Sequence, residues 1–249
     1  PRPRRPARPL AAPAWRPPAT SAAPHHPPPP TRPHFLRRGD HTEPGRYAVD
    51  RIRNGRSFAT RRVVARQAIG AILNAESSFQ RPEPSALIQT VSMPEVPAPD
   101  TLEQTSWTSS FDRCSVPPEQ VVGGTVAGTG RSVSWMKVNR ALGDPSDPAA
   151  QLMHRCWLAY LSDDLPTDAV IRAHPMSGDD VRDIFCASLD HTIWFHRPLQ
   201  ADRWHLHDFA CHHFVGGRGL SIGDVFGDDG THVATVAQEV LVREVRDRA

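Results

Sequence analysis

The sequence predicts an α+β fold in which an antiparallel sheet of many short strands wraps one long helix. Three observations carry this. Short segments alternate apolar and polar residues, as half-covered strands do; Arg46–Ile52 and Ser132–Val138 are two of them. Asn54-Gly55 and Asp228-Asp229-Gly230 are hairpin turns between such segments. One stretch, opening at Asp147-Pro148, carries the periodicity of a helix instead.

Taken in order, residues 1–33 stand apart. They hold half of the 26 prolines, and no acid occurs before Asp40. The run Pro27 to Pro30 forbids helix and central strand, so this segment is expected to be a disordered tail. Globular patterning starts at His34-Phe35-Leu36. Arg46–Ile52, Ser57–Gln67 and Ala71–Phe79 then read as an antiparallel meander. Residues 81–131 are punctuated by Pro82, Pro84, Pro94, Pro97, Pro99, Pro117 and Pro118 and read as loop. The glycines from Gly123 to Gly130 lack the spacing of a phosphate cradle.

After the strand Ser132–Val138, Asp147 is an N-cap with Pro148 at the first helical position. Leu152, Cys156 and Tyr160, flanked by Met153, Trp157 and Leu161, make one wide apolar stripe, and Pro166 is expected to stop the helix. Four strands follow at 183–195, Trp204–Phe214, Arg218–Phe226 and Thr231–Arg243. A weak repeat relates Arg56–Phe79 to Arg218–Val240: an arginine near a glycine, a strand, a turn, then a strand ending on a polar pair. The expected domains are a partial N-terminal unit over 34–110, a linker over 111–131 and a C-terminal unit over 132–249.

Composition excludes several classes. The net charge of +2 over 249 residues gives no field for nucleic acid. No apolar run approaches the roughly 20 residues that span a bilayer. The four cysteines form no Cys-x-x-Cys pair and read as reduced, which points to the cytoplasm. His205, His207, Cys211, His212 and His213 have a metal-like composition, but they read as a solvated strand face rather than a zinc site. No cofactor is expected.

Three polar residues stand out at positions where chemistry is plausible. Asp163 follows the helix stripe directly, where the helix dipole disfavours a carboxylate and raises its pKa, as a general base needs. A solvated helix end is the other reading. Ser188 lies between Ala187 and Leu189 on a strand, as a reacting hydroxyl or one bonded to nearby backbone. Gln238 shares strand phase with Val236, Val240 and Val242, while Glu239 and Arg243 take the other face. A glutamine among valines is buried and must be hydrogen-bonded, for chemistry or for strand bridging. Asp190 and His191 could form an acid–base pair.

Seven segments in order give these residues a context: Phe35-Leu36-Arg37-Arg38-Gly39-Asp40, the run from Arg53 to Arg61, Tyr160-Leu161-Ser162-Asp163, Ser188-Leu189-Asp190-His191, Trp194-Phe195-His196-Arg197-Pro198, Arg218-Gly219 and Val236-Ala237-Gln238-Glu239. Over about residues 34–80 and 132–244 the chain resembles the acyl-CoA thioesterase II family, double hot-dog enzymes that hydrolyse acyl-CoA thioesters. The resemblance implies that Asp163, Ser188 and Gln238 position the attacking water, with Asp190 and His191 structural or lining the site. It also implies an acyl-CoA substrate and a homodimer or larger homo-oligomer. Two readings from other classes are an acyl-CoA-binding protein without turnover and an inactive remnant. The family usually opens with a strand and a Gly-Gly-x-x-x-x-Gln helix ahead of the segment matching Phe35. Residues 1–33 hold neither, so the first hot dog is expected to be incomplete, and a change of reading frame upstream of residue 34 would account for the composition as well.

Overall fold

The computed structural model describes residues 31–126, 128–175 and 184–244. Eleven strands form one sheet: β1 (Thr31–Phe35), β2 (Arg46–Asn54), β3 (Phe58–Gln67), β4 (Gly70–Gln80), β5 (Phe111–Val116), β6 (Thr129–Val138), β7 (Ile184–Ser188), β8 (Thr192–Phe195), β9 (His205–Val215), β10 (Arg218–Gly227) and β11 (His232–Glu244). Their order is β2-β3-β4-β1-β8-β11-β10-β9-β6-β5, with β7 also paired to β11. Every pairing is antiparallel. Among the described residues two α-helices, α1 (Pro148–Leu161) and α2 (Leu165–Ala173), lie against the C-terminal strands.

The meander of β2, β3 and β4 is the one the alternation predicts. Its first turn is longer than the Asn-Gly pair suggests. Asn54 ends β2, and Gly55, Arg56 and Ser57 form the loop, closed by Gly55 N donating to Phe58 O at 2.8 Å. Buried Arg61 holds the corner, donating to Arg53 O at 2.8 Å and to Asn54 Oδ1 at 2.7 Å. β3 and β4 bury Val63, Val64, Leu73 and Phe79, whereas β2 is exposed along nearly its whole length. Within the described residues this N-terminal unit contributes strands and no α-helix. The expected tail lies outside the described residues except for Thr31–Pro33, which are strand: β1 starts three residues before the boundary read from composition.

Two expected boundaries move. The presumed linker 111–131 holds β5, paired along its length with β6. Its Phe111 and Arg113 face the helices while Cys114 and Val116 face outward, and both sides are covered, so no alternation marks it. Residues read as the end of the N-terminal unit belong with the C-terminal one. Val91, Met93, Val96 and Leu102 pack over the outer face of Trp135, Leu206 and Phe226, and Trp135 Nε1 donates to Pro97 O at 2.9 Å.

α1 begins as its sequence dictates, with Asp147 Oδ1 accepting from Ala149 N at 3.2 Å and Pro148 in the first turn. Its innermost face is rotated from the apolar stripe: His154, Leu158 and Leu161 are the most deeply buried. His154 can face inward because both ring nitrogens meet backbone, Nε2 at Gly143 O (3.1 Å) and Nδ1 at Ala201 N (3.0 Å). Counting only apolar residues misplaces such a face.

Pro166 does not simply stop the helix. Continued through, α1 would set the proline ring against the carbonyl of Ser162. The chain breaks at Ser162–Asp164 instead and restarts as α2 with Pro166 in its first turn. α2 sits very close to the sheet. A Cβ at Gly219 would lie 2.3 Å from Val170 Cγ1, and one at Gly130, already at φ +61, 2.3 Å from Ala169 O. Gly219→Ala is therefore expected to lower stability by about 1–3 kcal/mol by lifting α2. The urea midpoint measures it, and an unchanged midpoint would show that the helix rides outward freely.

Candidate active site

The break between α1 and α2 delivers Asp163 to the sheet. Asp163 is 8% exposed. Burial pushes its carboxyl up to about 7; hydrogen bonds from Gln238 and Ser188 pull against this, and the charge of Asp164 adds to it. The helix dipole is not the cause that the sequence suggested: desolvation dominates.

Ser188 ends β7, half-buried, opposite Val240 of β11. Its Oγ donates to Asp163 Oδ1 at 3.2 Å. Gln238 projects inward from β11 with Val236, Val240 and Val242 as its phase requires, and is fully buried. Its Nε2 donates to Ser188 Oγ at 2.9 Å. The three residues proposed from sequence thus meet, from three separate elements.

A bulge builds the other half of the site. The strand expected over 183–195 is interrupted after Ser188. Ser188 pairs with Val240 and Thr192 with Ala237, so Leu189, Asp190 and His191 oppose only Gln238 and Glu239. The extra residue turns His191 inward. Asp190 caps the gap in the ladder, its Oδ1 accepting from Glu239 N at 2.8 Å. The N-terminal unit holds the bulge from the other side: Phe35 N donates to Leu189 O (2.9 Å) and His191 N to Pro33 O (3.0 Å).

Asp190 and His191 are therefore not joined as an acid–base pair. His191, 1% exposed, makes Nδ1···Gln238 Oε1 at 2.6 Å and Nε2···Ser162 Oγ at 3.0 Å. Burial lowers its pKa to about 4, with the Gln238 bond and Asp190 opposing. The result is one connected chain: Ser162, His191, Gln238, Ser188, Asp163. Sequence reasoning named three of its members as site residues and left out Ser162, whose signal is its place beside Asp163 in the Tyr160–Asp163 motif.

A second polar group braces Asp163. Arg113 of β5 donates to Asp164 Oδ2 and to Asp168 Oδ2, both at 2.6 Å, and Trp107 Nε1 donates to Asp164 Oδ1 at 3.0 Å. These bonds pin the first turn of α2. Of the histidines read as a solvated face, His205 and His207 are instead fully buried, because β9 is an interior strand between β6 and β10. His212 and His213 are exposed. Among the described residues, no group of three or more His, Cys, Asp or Glu side chains is arranged to hold a metal ion.

Among the described residues, a single antiparallel sheet with helices against its C-terminal strands is the hot-dog arrangement, and a carboxylate, a hydroxyl and an amide converge where the helix breaks. A hot-dog protein from Alicyclobacillus acidocaldarius shares the fold, with a TM-score of 0.66 at 18% identity over 87% of this chain and 78% of that one. The family model for the acyl-CoA thioesterase C-terminal domain matches residues 90–242, and that for the N-terminal domain residues 19–80. The chain belongs to the acyl-CoA thioesterase family. Acyl-CoA thioesterase 2 of Haemophilus influenzae is 32% identical over 240 residues, covering 84% of this chain and 77% of its own. Acyl-coenzyme A thioesterase 8 of Mus musculus is 32% identical over 234 residues, covering 84% and 71%. The acyl-CoA thioesterase II TesB2 from Mycobacterium marinum superposes with a TM-score of 0.83 at 32% identity, covering 94% of this chain and 87% of that one. The N-terminal family match begins inside the segment whose composition suggested a tail.

Proposed function

We propose that this protein hydrolyses acyl-CoA to free fatty acid and CoA with a water molecule that Asp163 activates. The observation that carries the reading is the Asp163–Ser188–Gln238 contact on a buried carboxylate, in a chain of the acyl-CoA thioesterase family. At its pKa of about 7, Asp163 is basic enough to take a proton from water and still ionised above neutrality. Ser188 donates to Oδ1 and so fixes how the carboxylate faces the water. The water oxygen adds to the thioester carbonyl carbon as its proton passes to Asp163. The tetrahedral intermediate then expels the CoA thiolate, which takes up the proton. Little help is needed at the leaving group, since a thiol has a pKa of about 8.5.

Ser188 is read as a positioning hydroxyl, not a nucleophile. It already donates to Asp163 and accepts from Gln238. The experiment is thiol release from a medium-chain acyl-CoA between pH 5 and 9. The expected kcat profile rises through one ionisation near 7 and then levels, because His191 stays neutral over this range. A rapid burst of thiol at mixing would overturn the water mechanism in favour of an acyl-enzyme. Binding of acyl-CoA with no release would favour the binding-protein reading.

The same reading makes the protein a cytoplasmic homo-oligomer acting on fatty acyl groups. Four free cysteines suit a reducing compartment. β2 ends the sheet with Tyr47 and Ile52 exposed, an edge that a second copy would cover. Sedimentation is expected to give a dimer or larger, and a monomer would remove this part.

A further inference from the structure

We propose that His191 is a positioning residue whose Nδ1–H holds the Gln238 amide in the one orientation that presents Nε2 to Ser188. The inference rests on the reading of Asp163, Ser188 and Gln238 given above.

A glutamine amide is nearly symmetric in shape, and only its partners decide which end is oxygen. Gln238 is fully buried, so water does not decide. Its partners are the Ser188 hydroxyl, which can donate or accept, the His191 ring, and the Asp163 carboxyl, which the amide nitrogen also favours as an anion. That ring is neutral at working pH and offers one N–H and one lone pair. The groups facing it are Ser162 Oγ from the end of α1, Gln238 Oε1 from β11 and Asp163 Oδ1, 4.0 Å from Nδ1; Asp190 is its neighbour on the bulge.

Two polarities of the chain are self-consistent. In the first, Ser162 Oγ–H donates to His191 Nε2 and Nδ1–H donates to Gln238 Oε1. Gln238 Nε2 then donates to Ser188, and Ser188 Oγ–H to Asp163. All bonds point toward the carboxylate, which accepts most strongly when ionised. In the second, the amide is turned over. Ser162 donates to Ala159 O, which lies 3.3 Å away, and His191 Nε2–H donates to Ser162. Gln238 donates to Nδ1, and Ser188 donates to the amide oxygen. Asp163 then faces a lone pair and must carry a proton, which removes the base. The tautomer of His191 therefore favours the ionised, reactive form of Asp163 from two residues away.

The test compares His191→Phe and His191→Asn in thiol release from a medium-chain acyl-CoA, together with the 15N spectrum of the His191 ring in the parent. Phenylalanine fills the space and removes both bonds. Its kcat is expected to fall about 10–100-fold, as for other partners that orient a reacting group, with KM within about twofold and the kcat ionisation moved to higher pH. Asparagine sets an amide nitrogen where Nδ1–H was, and is expected to keep kcat within about fivefold of the parent. The 15N signals are expected to place the proton on Nδ1 from pH 5 to 9. Two outcomes overturn the proposal: asparagine as damaging as phenylalanine at equal melting temperature, which would mean packing alone, or a proton on Nε2. A parent that releases no thiol would sink the reading of the site instead, and the ring spectrum would still decide the place of His191's proton.

Discussion

Asp163→Asn is expected to abolish hydrolysis and to stabilise the protein in the same stroke. The loss of a general base lowers kcat by about 10²–10⁴-fold. The gain follows from the raised pKa. A carboxyl at 3.8 in the unfolded chain and about 7 in the folded one binds its proton more tightly when folded. Its contribution is full below about 3.8 and is lost as pH rises through about 7. Above that, the buried charge costs at most about 4 kcal/mol. A neutral amide escapes this cost, so the variant should melt above the parent at pH 8.5, by about 2–4 °C per kcal/mol recovered. At pH 5 the gap should shrink to less than half, and it should close below about 3.8. A variant no more stable at pH 8.5 than at pH 5, relative to the parent, would mean that Asp163 is well solvated and unfit for the role given to it.

Arg113→Met is expected to be the most destabilising single change outside the apolar core. The guanidinium is 9% exposed and holds two carboxylates at 2.6 Å. Removing it takes the guanidinium from Asp164 and Asp168 and leaves more negative charge next to Asp163, at a cost of about 3 kcal/mol. The urea midpoint should fall with little change in slope. Activity should fall too, since Arg113 fixes the turn that delivers Asp163. Replacing Asp164 by Asn in the same chain should restore part of the stability, because it removes the negative charge that Arg113 had offset beside Asp163. Absence of any recovery would locate the contribution of Arg113 in packing.

These two residues also show how far the sequence could be read. Asp163 was legible because a capped helix, an apolar periodicity and a nearby proline all point to a helix end there. Gln238 was legible from strand phase alone. Arg113 was not. Its strand is covered on both sides, so it lacks alternation, and the prolines around it disguise it as a linker. The bulge at Leu189–His191 was hidden for another reason. Period-2 patterning follows a strand but is blind to one inserted residue, which only the opposing strand can reveal. His205 and His207 were misplaced because sequence hydropathy assigns histidine to solvent, whereas an interior strand accepts it as a neutral ring.

The clamp that Pro33 and Phe35 place on the bulge has a consequence for how the molecule is made. β1 leaves the ribosome well before its second partner, since Leu189–Ile193 arrive about 160 residues later. Until then β1 can pair with β4 alone, and its other side stays open to any passing strand. Closing so long a loop is slow, and a crowded, warm cell gives other chains time to intervene. Yield of soluble protein should therefore depend on synthesis temperature more steeply than the melting temperature of the finished enzyme would suggest.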